Sequence, residues 1–230
     1  MTLASSAPGA AQAPRGAERR CPDRGTSGPG PIIPWHVGPA AKLVGLLTLV
    51  ASLLYFASDV IEARQGRFSD RQLWLTLVAE AAVPIFVIGL AVVQRPRLGR
   101  LGELAALAYA YAYVVFTGTV VYALVNNTKD YDALAKELGA VMTIHGAVMV
   151  VAGLGLGFAV RRARLLPAWT GVALMAGVVL VALAQGLPEG AQLVAAGVRD
   201  LAFAGMGVAL LRASAVDRAA PTSRSGGRGP

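Results

Sequence analysis

Of the ionisable side chains in the long apolar stretches of this 230-residue chain, five are the residues best suited to chemistry. They are Asp59, Glu80, His145, Arg199 and Asp200. A charged group in membrane hydrocarbon is unfavourable, so such groups usually bind a substrate, pair with one another or transfer protons. A carboxylic acid that keeps its proton away from water can donate that proton to a substrate. We therefore take Asp59, Glu80 and Asp200 as candidate catalytic residues.

Arg199 is the one permanent cation among these five groups. Neighbouring residues on a helix point about 100° apart, so we expect Arg199 to reach a carboxylate on another helix rather than Asp200. Pro84 follows Glu80 by four residues, removes the helical donor to the Glu80 carbonyl and favours a kink there. The structural alternatives differ: Asp59 would be a helix-end carboxylate in headgroup water, Glu80 a partner for a buried arginine and His145 a hydrogen-bonded packing residue. Arg199 and Asp200 would only hold the helices together.

Aromatic side chains accompany the acids. Tyr109, Tyr113 and Phe116 follow the spacing i, i+4, i+7 and are predicted to share one helix face. Their ring faces could stabilise a cation, although ordinary aromatic packing has the same spacing. The other candidate substrate-binding residues are Tyr55, His145, Arg199 and Phe203.

Several classes of function are disfavoured by what the sequence lacks. It has no nucleophile elbow, P-loop, dinucleotide fingerprint or zinc signature. It has a single cysteine, Cys21, and no second metal ligand three or four residues from His145. We therefore expect neither a metal nor a cofactor. The net charge of +8 comes from tails and short loops, which favours membrane topology over nucleic-acid binding.

The elements that carry these residues are six apolar stretches. With 55% hydrophobic and 15% charged residues, the chain is more apolar and less charged than a typical soluble domain. Each stretch is long enough to cross ~30 Å of hydrocarbon as a helix, and lipid-exposed segments must satisfy their backbone internally. The sequence therefore predicts an all-α bundle of six transmembrane helices. The stretches are 40–61, 73–94, 102–125, 138–160, 167–186 and 190–212.

The distribution of basic residues predicts the orientation. The two tails with Lys42, and the loops after the second and fourth stretches, hold 15 Lys and Arg residues, whereas the opposite loops hold five. The positive-inside rule then places both termini in the cytoplasm of a multi-pass plasma (inner) membrane protein. Residues 1–38 and 214–230 are predicted to be disordered tails around a transmembrane domain at 39–213.

Three short segments carry a family resemblance. They are Phe56-Ala57-Ser58-Asp59-Val60-Ile61-Glu62-Ala63, Leu77-Val78-Ala79-Glu80-Ala81-Ala82-Val83-Pro84 and Val198-Arg199-Asp200-Leu201-Ala202-Phe203. In these segments the chain resembles the small bacterial membrane-bound terpene cyclases of drimentine-, xiamycin- and atolypene-type pathways. More distantly, it is similar to the fungal meroterpenoid cyclases. Those fungal enzymes depend on one acid on an early helix and one on the last, whose counterparts by placement are Glu80 and Asp200.

The resemblance implies cyclisation of a linear prenyl chain, such as farnesyl on an indole or diketopiperazine. Asp200 or Glu80 would protonate an alkene or epoxide, and Glu80 or Asp59 would orient the acid or accept the final proton. The expected partners are a lipophilic prenylated small molecule, membrane lipids and a prenyltransferase of the same pathway. Two alternatives remain open: a proton-coupled transporter of a lipophilic compound, and a non-enzymatic structural membrane protein.

Overall fold

The computed structural model describes residues 38–219, with side chains described up to residue 215. Every regular element within these residues is a helix, which confirms the all-α prediction. The first 37 residues of the predicted N-terminal tail, and the C-terminal tail beyond residue 219, lie outside the described residues. The helices are α1 (Pro39–Gln65), α2 (Asp70–Val93), α3 (Gly99–Asn126), α4 (Tyr131–Leu138), α5 (Ala140–Ala163), α6 (Ala168–Leu183) and α7 (Glu189–Ala219).

The described helices have the composition and surface of a membrane-embedded bundle. Five of them, α1, α2, α3, α5 and α7, are long and apolar enough to cross a membrane, whereas α6 has 16 residues. Large apolar side chains face outward along these helices; Ile85, for example, is 65% exposed and Val151 is 71% exposed. An apolar surface of this extent suits lipid and not water.

Six helices form a closed ring. In the order α1, α2, α3, α5, α6 and α7, each helix packs against the next, and α7 packs back onto α1. Consecutive members of the ring are connected by short loops, with α4 inserted between α3 and α5. The interior of this ring is where polar groups can be kept from lipid.

One end of the ring is closed by glycine contacts. We call it the packed half: it consists of the first residues of α1, α3 and α6 and the last residues of α2, α5 and α7. A Cβ on Gly207 of α7 would lie 2.7 Å from the carbonyl oxygen of Gly45 on α1. A Cβ on Gly171 of α6 would lie 2.5 Å from the carbonyl oxygen of Gly157 on α5. These backbones approach closely because no side chain separates them.

The opposite end, which we call the cavity half, is more open. There a Cβ on Gly146 of α5 or on Gly190 of α7 would meet no atom within 4 Å. Helices that touch at one end of a ring and diverge at the other leave a space between them.

Two features differ from the expected helix boundaries. The sequence placed the start of the fourth apolar stretch at 138, but the chain first forms the short helix α4, capped by Asp130, whose carboxylate accepts the Ala133 N–H at 2.8 Å. The helix stops at Gly139, which adopts a positive φ of 44°. At the other end of the chain, α7 continues to Ala219, past the domain boundary expected at 213, because an alanine-rich sequence without a breaker follows.

Candidate functional site

A cavity of about 610 Å³ occupies the cavity half of the ring. All six ring helices and α4 contribute to its wall, so it exists only because the ring closes. Its volume is in the range of small-molecule sites, and apolar side chains such as Phe116, Val120 and Met149 line much of it. The acids and the arginine lie around its inner end.

Glu80 of α2 and Tyr55 of α1 meet at this inner end. The Tyr55 hydroxyl donates a 2.6 Å hydrogen bond to Glu80 Oε1. Glu80 is only 6% exposed, and its second oxygen, Oε2, accepts no hydrogen bond from any described residue. A carboxyl group held by one oxygen and free at the other can present a proton to a ligand in the cavity.

Arg199 of α7 connects the acids. Its Nε donates to Asp200 Oδ1 at 3.0 Å, and its Nη2 lies 3.7 Å from Asp59 Oδ2 on α1. The prediction that Arg199 would not pair with Asp200 was therefore wrong, while the prediction that it would reach an acid on another helix agrees with the contact to Asp59. The long arginine side chain folds back on its neighbour, so the 100° between the two Cα–Cβ directions does not separate the charged groups.

The position of Arg199 is fixed from two further sides. Its guanidinium carbon lies 4.4 Å from the centre of the Tyr55 ring, in cation–π contact. Behind it, a Cβ on Gly177 of α6 would lie 2.6 Å from the Arg199 Cα, so α6 presses directly on the Arg199 backbone. Arg199 is thus held between α1, α6 and the tyrosine that bonds Glu80.

The three candidate acids do not have equivalent positions. Asp59 and Glu80 line the cavity together with Arg199. Asp200 does not; with Arg199, Ser52 of α1 and Phe203 of α7, it lines a separate and much smaller pocket. A ligand in the cavity therefore meets Asp59 and Glu80, and Asp200 acts on it only through Arg199.

The three aromatic residues predicted to share one helix face, Tyr109, Tyr113 and Phe116, also differ in position. Tyr113 and Phe116 line the cavity, with ring centres 6.1 Å apart. Tyr109 lies one layer deeper, 5.1 Å from the Tyr113 ring and 5.9 Å from the Phe203 ring. Tyr109 and Phe203 are core residues that support the inner end of the cavity.

His145 is not brought to this site. It contacts Tyr111 of α3, with 3.2 Å between His145 Nε2 and the Tyr111 hydroxyl, and its Nδ1 lies 2.8 Å from the Val141 carbonyl oxygen. It does not line the cavity, and Tyr111 is 56% exposed on the outside of the bundle. The sequence indicated the depth of His145 but not the direction in which it points.

A buried polar network beside the cavity was missed by the sequence analysis. Gln72 Nε2 lies 3.0 Å from Glu62 Oε2, 3.0 Å from Thr76 Oγ1 and 3.3 Å from Ser58 Oγ. Ser58 and Thr76 also hydrogen-bond to each other through their hydroxyls. The available signal was a run of polar residues at helical spacing, since Gln72 and Thr76 are four residues apart on α2.

The mouth of the cavity lies at the end of the ring where the less basic loops are. Glu62 and Glu189 line it with Gln192. Tyr131 of α4 lines it too; burial raises the pKa of its phenol, and the charges of Glu62, Glu80 and Asp132 raise that pKa further. The phenol therefore stays neutral at physiological pH.

Among residues 38–215, no group of three or more His, Cys, Asp or Glu side chains is placed to hold a metal ion. Comparison of the chain with protein-family models, with curated proteins and with solved structures found no match. What the site can do must therefore be read from its own chemistry.

Proposed function

We propose that this protein is a membrane-embedded cyclase that protonates a linear prenyl chain and controls the resulting carbocation. The observation that carries the proposal is the Glu80 carboxyl at the inner end of a largely apolar 610 Å³ cavity, with one oxygen bonded by Tyr55 and the other unpartnered. The apolar part of this wall suits a lipophilic substrate, which on binding would displace water from the site where the cation forms. The resemblance to membrane-bound terpene cyclases supports the same reaction.

Glu80 is the proposed acid. It has no Lys or Arg nitrogen within ion-pair distance among the described residues, whereas Asp59 and Asp200 both pair with Arg199. The proton leaves Oε2 for the less substituted carbon of the terminal alkene, which leaves a tertiary cation, or for the oxygen of an epoxide, whose C–O bond then opens. The carboxylate that remains is stabilised by the Tyr55 hydroxyl, whose ring lies under the Arg199 guanidinium. This support matters because burial alone makes a carboxyl a weaker acid.

The later steps use the rest of the wall. The π electrons of the next alkene close the ring, and the faces of Tyr113 and Phe116 stabilise the cation. Asp59 accepts the proton lost when the final alkene forms. One proton enters and one leaves, so the product is an isomer of the substrate and no cofactor is consumed. We take the substrate to be a prenylated small molecule, such as a farnesylated indole or diketopiperazine, supplied by a prenyltransferase.

The experiment is to incubate membranes containing the protein with linear prenylated indoles and their terminal epoxides. The expected product has the mass of the substrate and a different chromatographic retention. Glu80→Gln should lower the rate by about 100-fold or more, because it removes the proton donor and keeps the shape. The matched control is Glu103→Gln, which makes the same change in an ion pair with Arg95 in the packed half and should keep the rate.

Two results would overturn the proposal. One is conversion of no member of the panel by wild-type membranes. The other is a wild-type rate in a Glu80→Gln variant that melts at the wild-type temperature.

We also infer that α6 is a sixth span and that both termini lie on the cytoplasmic side of the plasma membrane. Five helices meet the length of a span, and α6 is packed between two of them, α5 and α7. The single native cysteine, Cys21, allows a test with a membrane-impermeant maleimide, which should label it in inverted vesicles and not in intact cells. In a Cys21→Ser background, Arg164→Cys and Leu187→Cys should label from opposite sides; labelling from the same side would rule out a crossing by α6.

A further inference from the structure

The cavity wall near the mouth includes a buried hydrogen-bond acceptor that no described residue uses. Gln72 is 1% exposed and lines the cavity, yet its Oε1 accepts no hydrogen bond from any described residue. Its nitrogen faces Glu62, Ser58 and Thr76. Because a carboxylate oxygen of Glu62 accepts, the amide nitrogen must be the end that faces it, and Oε1 is left over. A buried acceptor without a donor is unfavourable, which points to a donor supplied by a ligand.

Two other glutamine side chains of the cavity wall also use their nitrogens as hydrogen-bond donors. Gln185 donates through Nε2 to the Val181 carbonyl at 3.0 Å, and Gln192 donates through Nε2 to the Leu187 carbonyl at 2.8 Å. Both glutamines line the cavity. With their nitrogens engaged by backbone carbonyls, their side-chain oxygens remain as acceptors for a ligand.

The described part of the cavity wall near the mouth carries acidic side chains and no basic ones. Among the described residues that line the cavity, Arg199 is the single Lys or Arg, and it lies at the inner end between Asp59 and Asp200. Glu62 and Glu189 line the mouth with no basic residue beside them in the lining. Glu189 reaches toward the turn after α1, where a Cβ on Gly66 would lie 3.3 Å from its Oε1. Two carboxyl groups in the lining disfavour an anion bound against them and favour a neutral or cationic group.

We propose that the mouth binds the head group of the substrate, and that this head is neutral or cationic and donates a hydrogen bond to Gln72 Oε1. Diphosphate and carboxylate heads are rejected. The apolar chain then extends past Phe116 to Glu80, which places the far end of the chain, and not the head, at the acid. This inference rests on the proposed function because it concerns the same cavity, but it is a statement about binding and needs no turnover.

The test compares ligands that share one C15 tail: farnesol, farnesylamine, farnesyl methyl ether and farnesyl diphosphate. Dissociation constants are measured calorimetrically with the full chain in detergent. Farnesol and farnesylamine should bind about tenfold or more tightly than the ether, which lacks a donor for Gln72. Farnesyl diphosphate should bind most weakly.

Gln72→Met removes the acceptor and should reduce the preference for farnesol over the ether to within about twofold. Gln94→Met is the matched control. Gln94 is also fully buried, donates to the Leu90 carbonyl at 3.1 Å and has an unpartnered Oε1, but it lies in the packed half. It should keep the wild-type preference.

Glu189→Gln provides a second variant at an exposed position, for use if Gln72→Met does not fold. It should raise the affinity for farnesyl diphosphate by about fivefold, the effect of one unit charge at contact distance in water. Equal binding of farnesol and farnesyl methyl ether to the wild-type protein would overturn the inference. Tight binding of farnesyl diphosphate, or loss of the farnesol preference in both Gln72→Met and Gln94→Met, would also overturn it. If the protein cyclises its substrate but does not show this order of ligand affinities, the proposed function stands and the head-group inference fails. If it shows this order but cyclises no substrate, the head-group inference stands and the proposed function fails.

Discussion

Several glycines of the packed half lie where helices touch, whereas Gly146 in the cavity half faces open space. Gly207 and Gly171 each approach a backbone oxygen of the next helix so closely that a Cβ would lie within 2.7 Å of it. Gly146, on the same helix as Gly157 but three turns earlier, would meet nothing within 4 Å. The difference indicates that neighbouring helices are in backbone contact at Gly207 and Gly171 and lie further apart around Gly146.

Arg199 lies where the two halves meet, and its removal should have the largest effect. Arg199→Met leaves Asp59 and Asp200 without their cation, and breaking a buried ion pair in this way costs about 3–5 kcal/mol. We expect a clearly lower melting temperature in detergent. The double variant Arg199→Met with Asp200→Asn should recover part of that loss, because one of the two stranded charges is gone.

An exposed ion pair supplies the control for Arg199. Arg95 pairs with Glu103 at 2.7 Å, but the Arg95 side chain is 59% exposed, so Arg95→Met should cost less than about 1 kcal/mol. Equal melting temperatures for the Arg199→Met and Arg95→Met variants would show that the buried acids do not depend on Arg199.

The sequence predicted the helices well and the interior poorly. Six apolar stretches correspond to six helices because a long apolar run has few other ways to satisfy its backbone in lipid. The direction of a side chain such as His145 could not be predicted, since lipid-facing and core-facing residues are both apolar and no periodicity separates them. The cavity could not be predicted either, because its wall combines residues from seven helices whose arrangement depends on tertiary packing.

The residues of the candidate site likewise fall into those that the sequence indicated and those that it did not. Glu80, Asp59 and Arg199 stood out because ionisable groups are rare in apolar stretches. Gln72 did not, because a neutral amide near a helix end is common; only its position against Glu62 makes it notable. Asp200 was ranked with the catalytic acids from sequence alone, but it lines the smaller pocket and not the cavity.

Gly171→Ala tests the packed half and should have the next largest effect. The added Cβ would lie 2.5 Å from the Gly157 carbonyl oxygen and 3.1 Å from the Arg161 nitrogen. Backbone atoms cannot rotate away, so α5 and α6 must separate, at a cost of about 1–3 kcal/mol. Unfolding in a denaturing detergent series should show the loss, and a variant as stable as wild type would contradict close contact between these helices.

Gly146→Ala makes the identical change in the cavity half, and there the change in stability should have the opposite sign. No atom opposes the new methyl group, and alanine is favoured over glycine inside a helix by about 1 kcal/mol. The variant should therefore unfold at the same or a slightly higher detergent fraction than wild type. Because Gly146 lines the cavity, the methyl group also takes volume from the ligand, so any effect should appear in binding of a C15 chain and not in stability. A destabilised Gly146→Ala variant would mean that α5 is as tightly packed at the mouth as at the closed end, and the contrast between the two halves would fail.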